Sequence, residues 1–186
     1  MGRALMIVDP QLDFINGSLP VPHAAEAMNA LADYVARQAH AYPLRLVTCD
    51  CHPPGHISFQ ANGGQWPCHC LAGADGASIW PVLRAALEKA GPLVTIRKGT
   101  DAACEEYSAF SNCANRAAIA DAFAHYGIDG VDICGIAGDI CVLNTLRDGI
   151  GIYGGSFFRV LAAYSPSMDN GASLREFCRK EQIWIR

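Results

Sequence analysis

The sequence predicts an α/β fold, a mostly parallel central sheet with helices on both faces, and three observations carry that prediction. Short apolar runs alternate with longer stretches whose apolar residues recur every three or four positions. The short runs are nearly continuously apolar, as expected of strands covered on both faces. Gly91-Pro92 and Gly127 stop two of the periodic stretches.

The first strand is expected over residues 4–9, within an apolar run over 1–9 that ends on an acid. A helix follows over 24–40, where Met28, Leu31, Val35 and Ala39 form a one-sided stripe. Strand two spans 44–50. Residues 51–77, rich in Gly, Pro, Asn and His, are irregular, and a loop that long within a compact fold is usually functional. Then come a helix over 78–90, a strand over 93–98, a helix over 114–126 and a strand over 130–136. A helix over 139–148, a strand over 156–163, a helix over 173–180 and a short strand over 183–185 complete the pattern. No internal repeat, low-complexity tract or linker interrupts it, so residues 1–186 are expected to form one domain.

Of the 186 residues, 51% are hydrophobic and 17% charged, which is a folded, cytoplasmic composition rather than a disordered one. A net charge of −4 without any basic run argues against nucleic acid or an anionic membrane as partner, and leaves a small molecule. Association into a homo-oligomer is left open. The first residues lack signal-peptide architecture, and no window approaches the roughly 18 apolar residues of a membrane span. Nine cysteines without a secretion signal point to reduced thiols rather than a disulfide framework. Most of the nine read as small buried hydrophobes.

In an open parallel sheet, ligands bind beyond the carboxyl ends of the strands. Asp9 ends the first strand, Asp50 and His52 the second, Lys98 the third, and Cys141 follows the fourth. One such Asp is usually a turn or cap residue. Four strands delivering complementary chemistry to one edge point to a site.

The metal candidate is Cys49-Asp50-Cys51-His52 with Trp66-Pro67-Cys68-His69-Cys70. On an extended segment Asp50 and His52 share one side, and Cys49 and Cys51 the other. Two designs compete. Asp50, His52 and His69 with open positions would make a catalytic centre, whereas Cys49, Cys51, Cys68 and Cys70 would make a closed thiolate site, for which Cys-x-Cys is a poor spacing. His56 could be a fourth ligand or could only line the site.

The nucleophile candidate is Cys141, within Gly135-Ile136-Ala137-Gly138-Asp139-Ile140-Cys141. At a helix start the dipole and unpaired N–H groups favour thiolate and can receive an oxyanion. Lys98 would favour the thiolate further, and Asp9 could shuttle the proton.

These segments resemble the isochorismatase-like cysteine hydrolases, and within them the nicotinamidases, also called pyrazinamidases. Val8-Asp9-Pro10-Gln11-Leu12-Asp13-Phe14 is similar to the family's opening Asp motif. Asp50-Cys51-His52, His56-Ile57-Ser58-Phe59 and Trp66-Pro67-Cys68-His69-Cys70 are similar to its metal segments, and Lys98-Gly99 with Tyr107-Ser108-Ala109-Phe110 to its lysine segment. Residues 135–142 are similar to its nucleophile loop. The likeness runs from the first strand to about residue 170 in the family's order.

The resemblance implies hydrolysis of nicotinamide to nicotinate and ammonia, with Asp9, Lys98 and Cys141 as the triad. It implies one divalent metal (zinc, iron or manganese) on Asp50, His52 and His69. A substrate pocket from Phe14, Trp66, Tyr107, Ile136 and Ala137 is also implied, with a cis peptide between Ile136 and Ala137. The rivals are a metal-free relative of the same family and a non-catalytic metal- or ligand-binding domain. Cys51 stands where an aromatic is common, Gly138 where Thr is common, and His23 where Gly is usual.

Overall fold

In the computed structural model, which describes residues 2–186, the apolar runs pair into one six-stranded sheet. The strands are β1 (Gly2–Val8), β2 (Leu44–Asp50), β3 (Leu93–Lys98), β4 (Ile128–Gly135), β5 (Phe158–Val160) and β6 (Trp184–Ile185). Met1, the first residue of the opening apolar run, lies outside the described residues. Every neighbouring pair is parallel, in the order β3-β2-β1-β4-β5-β6. The chain steps outward from β1 to β3, crosses back to place β4 on the other side of β1, and steps outward again. That reversal parts the loops that follow β1 and β4, and an open parallel sheet has its crevice there.

The helices are α1 (Leu12–Ile15), α2 (Ala24–Arg37), α3 (Pro81–Ala90), α4 (Cys113–Tyr126), α5 (Leu143–Tyr153) and α6 (Ala172–Lys180). Successive strand residues face opposite sides, so β1 serves two cores. Ala4, Met6 and Val8 pack with Ile119 and Phe123 of α4, Leu146 of α5 and Leu174 of α6. Leu5 and Ile7 pack with Met28 and Leu31 of α2 and Leu83 and Leu87 of α3. Each such buried side chain contributes about 1.5–3 kcal/mol by leaving water, and both faces of the sheet are thereby covered.

The boundaries differ from the expected ones where turn geometry intervenes. Helix 24–40 ends at Arg37, and helix 78–90 starts at Pro81, whose missing N–H suits a first helical position. The strand expected over 156–163 pairs only at Phe158–Val160, because single 3-10 turns, Gly155–Phe157 and Ala162–Tyr164, flank it. The helix expected over 139–148 opens with a wide turn, Gly138–Val142, closed by the Val142 N–H donating five residues back to Ala137 O at 3.1 Å. Regular helix runs only from Leu143, and it passes Gly149, where a side chain would strike the Phe158 ring. The short α1 carries no periodic signal of its own.

Candidate active site

The carboxyl ends of β1, β2 and β3 and the turn after β4 meet at one edge of the sheet. Asp9, just past β1, takes a left-handed backbone conformation (φ 46°) that turns its carboxylate back over the strand ends. Thr48, two residues before Asp50 and so on the same side of β2, donates to Asp9 Oδ1 at 2.7 Å. Lys98 sits in register with Asp50, and its long side chain crosses β2 to reach the space above β1. Its Nζ lies 2.5 Å from Asp50 Oδ1, 2.8 Å from Asp9 Oδ2, 3.1 Å from the Glu106 carbonyl and 3.7 Å from Cys141 Sγ. Asp9, Lys98 and Cys141 are all buried.

Burial and charge set the protonation of this cluster. Burial pushes the Asp9 carboxyl up to about 6, with Lys98 opposing it. Burial alone would raise Asp50 too, but Lys98 and His52 hold it well below the usual carboxylate range. Lys98 is kept protonated against its burial by Asp50 and Asp9. Burial pushes the Cys141 thiol well above its usual range, with Lys98 pulling it down and the two carboxylates pushing it up. Burial and the two carboxylates thus oppose the thiolate that a helix start and Lys98 would favour at Cys141. The wide turn Gly138–Val142 puts Cys141 inside the loop rather than at the first turn of α5, and the lysine is already claimed by two acids. Asp9 Oδ2 faces the Lys98 ammonium at 2.8 Å, in the same buried cluster as that thiol.

Asp50 also belongs to a second group. One ligand atom each from Asp50, His52 and His69 lie within 4.8 Å of one another, all buried. The chain brings them together through backbone pairing. The His52 N–H donates to Cys70 O and the Ala72 N–H to His52 O, laying the segment after Trp66 beside His52. Asp13 Oδ2 anchors the same segment by accepting the Cys70 N–H at 2.7 Å. His52 Nδ1 pairs with Gly99 O at 3.0 Å and His69 Nδ1 with Pro67 O at 2.8 Å, which leaves both Nε2 lone pairs free. His52 Nε2 is 3.7 Å from Asp50 Oδ2, too far to bond, and is a buried nitrogen without a partner among the described residues. An orphaned imidazole nitrogen between a carboxylate and a second imidazole fits a divalent cation, and oriented Nδ1–H donors fit it further.

Both nitrogens of His56 are engaged, with Ser58 Oγ at 2.7 Å and Cys104 O at 3.1 Å, and its ring lies against that of His52. The rival thiolate set is not assembled: Cys68 is exposed, Cys49 and Cys51 line a separate cleft behind Asp50, and all nine cysteines are free. A further trio, Asp9, Asp50 and Cys141, is close enough to hold an ion but already surrounds the Lys98 ammonium.

A cleft of about 410 Å³, counting its open mouth, rises from these groups. Phe14, Trp66, Tyr107 and Ala137 line it with Cys141, Asp50 and His69, and Trp66 Nε1 donates to Tyr107 OH at 3.0 Å. Ile136 is not in the wall. Its side chain is fully buried in the core on the α2 side, while its N–H ties β4 to Val8 O. The peptide between Ile136 and Ala137 is cis.

Several residues with no role assigned from sequence are built into the site. Gln11 clamps Asp50, accepting its N–H at 2.7 Å and donating to its carbonyl at 2.8 Å. Glu105 lines the cleft, its carboxyl raised by burial and by Asp50. A polar residue two positions after a strand-ending acid was the available signal for Gln11; Glu105 had none. The departures find local reasons. His23 adopts φ 62°, a conformation glycine favours, and a side chain on Gly138 would strike Ser167 Oγ and Ser165 O.

The isochorismatase domain model matches residues 3–152. Among curated proteins the chain is 35% identical to a nicotinamidase/pyrazinamidase of Mycobacterium tuberculosis, over 80% of this chain and 78% of that one. It is 30% identical to a nicotinamidase of Escherichia coli, over 80% and 76% of the two chains. Among solved structures it is similar to a Pyrococcus horikoshii pyrazinamidase in complex with zinc (28% identity, TM-score 0.84, covering 100% of this chain and 99% of that one). It is also similar to an L. infantum protein in complex with nicotinate (26% identity, TM-score 0.82, covering 100% and 92%).

Proposed function

The chain belongs to the isochorismatase family of hydrolases, and from that premise we propose that it is a nicotinamidase, with nicotinamide as substrate and nicotinate and ammonia as products. One observation carries the reading: Asp50 and His69 of the cation-ready group line the same aromatic-walled cleft as Cys141. The nicotinate and zinc complexes of relatives support it.

A divalent ion on Asp50, His52 and His69, zinc foremost, would supply a Lewis-acid anchor for the pyridine nitrogen. Phe14 and Trp66 take the ring, and the carboxamide carbon meets Cys141. Asp9, ionised above about pH 6, removes the thiol proton as sulfur attacks. The C–N bond breaks as Asp9 returns that proton to nitrogen, and ammonia leaves. Water, deprotonated by Asp9, then attacks the thioester, the C–S bond breaks, and the proton restores the thiol. The amides of Ala137 and Cys141 receive both oxyanions, each donor contributing about 3–4 kcal/mol. Lys98 keeps Asp9 ionised between attacks.

The test is ammonia release from nicotinamide by zinc-loaded protein. Turnover that vanishes in Cys141→Ala is expected. No release from nicotinamide by the loaded parent, or more than about a thousandth of parental turnover in Cys141→Ala, overturns the reading.

A further inference from the structure

Glu106 is a buried carboxylate for which the mechanism above has no use. Its oxygens face backbone and amide donors rather than a cation. Oε2 accepts the Gly99 N–H at 2.8 Å, and Asn112 Nδ2 lies 3.0 and 3.1 Å from Oε1 and Oε2. The carbonyl of the same residue accepts from Lys98 Nζ at 3.1 Å. Glu106 therefore grips Lys98 at both ends, at the ammonium through its carbonyl and at the next peptide through its carboxylate. An ammonium has three donors, and this carbonyl is the neutral acceptor beside Asp9 and Asp50.

The polarity of the Glu106–Asn112 contact is fixed from outside. Asn112 caps α4, its Oδ1 accepting the Asn115 N–H at 2.8 Å. With its oxygen committed to the cap, Asn112 can only donate towards residue 106. Glu106 thus closes the loop between β3 and α4, and the residues on either side of it, Glu105 and Tyr107, both line the cleft.

We infer that Glu106 is a positioning residue for the proposed hydrolysis: by holding this loop closed it sets the Lys98 ammonium between Asp9 and Cys141 and stands Tyr107 in the cleft wall. The inference rests on the proposed function for its substrate. Glu106→Gln keeps the volume and one oxygen for Gly99 but sets an NH2 against Asn112 Nδ2, donor against donor. Asn112→Asp alone sets carboxylate against carboxylate. The double variant, Glu106→Gln with Asn112→Asp, reverses the pair. The introduced amide then donates to the introduced carboxylate, and Asp caps a helix as well as Asn does.

Steady-state kinetics with nicotinamide, melting temperature, and the rate of Cys141 alkylation by iodoacetamide, read by peptide mass spectrometry, are measured on all four proteins. Each single variant should lose about tenfold in kcat with a far smaller change in KM, and change the alkylation rate. The double variant should recover kcat and alkylation to within about threefold of the parent. A kcat loss below about threefold in Glu106→Gln overturns the inference. So does a double variant that regains the parental melting temperature but not kcat, which would make the contact merely structural. If the parent releases no ammonia from nicotinamide, the substrate reading has failed, and alkylation alone decides. Unchanged alkylation in Glu106→Gln then overturns the positioning role, and altered alkylation restored in the double variant upholds it.

Discussion

Around Lys98 Nζ one cation is shared by two carboxylates and a thiol, and the protonation of each follows from that shortage. Of the two carboxylates Asp9 is the easier to protonate, so kcat/KM should fall as pH drops through about 6, with the limb belonging to the coupled cluster and not to one residue. A flat profile over about pH 5–7 would remove Asp9 as the base. Stability has the opposite sign in that window. A carboxyl raised in the fold favours folding as pH falls from about 6 to its unfolded value of 3.8, whereas depressed Asp50 contributes stability above 3.8 that is lost only on further acidification. Lys98→Ala leaves two buried carboxylates without a counter-ion and should cost about 3–5 kcal/mol in urea denaturation; a loss below about 1 would mean the acids are solvated. Asp9, Asp50, Lys98 and Cys141 could be placed from the sequence because each ends a strand or follows one. Their protonation was not legible there, because it depends on three strands converging on one nitrogen.

At the scale of elements, the long periodic segment α2 was readable from its apolar spacing, and the strands from their unbroken apolar runs. What escaped were the pieces shaped by contacts distant in sequence. The turn Gly138–Val142 lies under the segment Ser165–Ser167, whose Pro166 carbonyl accepts the Gly138 N–H at 2.8 Å. Gly138 leaves room there for Ser167, so a larger residue must displace either Ser167 or the turn that carries Cys141. Gly138→Ala should cost about 1–3 kcal/mol and lower kcat, and Ser167→Gly in that background should return part of both. Denaturation and kinetics on the pair check this. No rescue would place the strain at the Ser165 backbone instead.

Across the whole molecule, a cation on the proposed group would fasten two segments, around His52 and around His69, that two backbone bonds join among the described residues. Zinc at about a hundred times its dissociation constant should stabilise the fold by about 2.7 kcal/mol, read as a rise in melting temperature. His69→Ala should abolish the rise, and Cys68→Ala or Cys70→Ala should keep it; a full rise in His69→Ala would move the site elsewhere. The sheet order adds a consequence of its own. Asp9, Lys98 and every proposed ligand lie on β1, β2, β3 and their loops, while the thiol arrives only after β4. On the ribosome, a nascent chain that has emerged only as far as Lys98 already carries Asp50, His52 and His69 but not Cys141. A premature stop in α4 would therefore yield a fragment that holds every proposed ligand, lacks the thiol, and leaves β1 without its β4 neighbour.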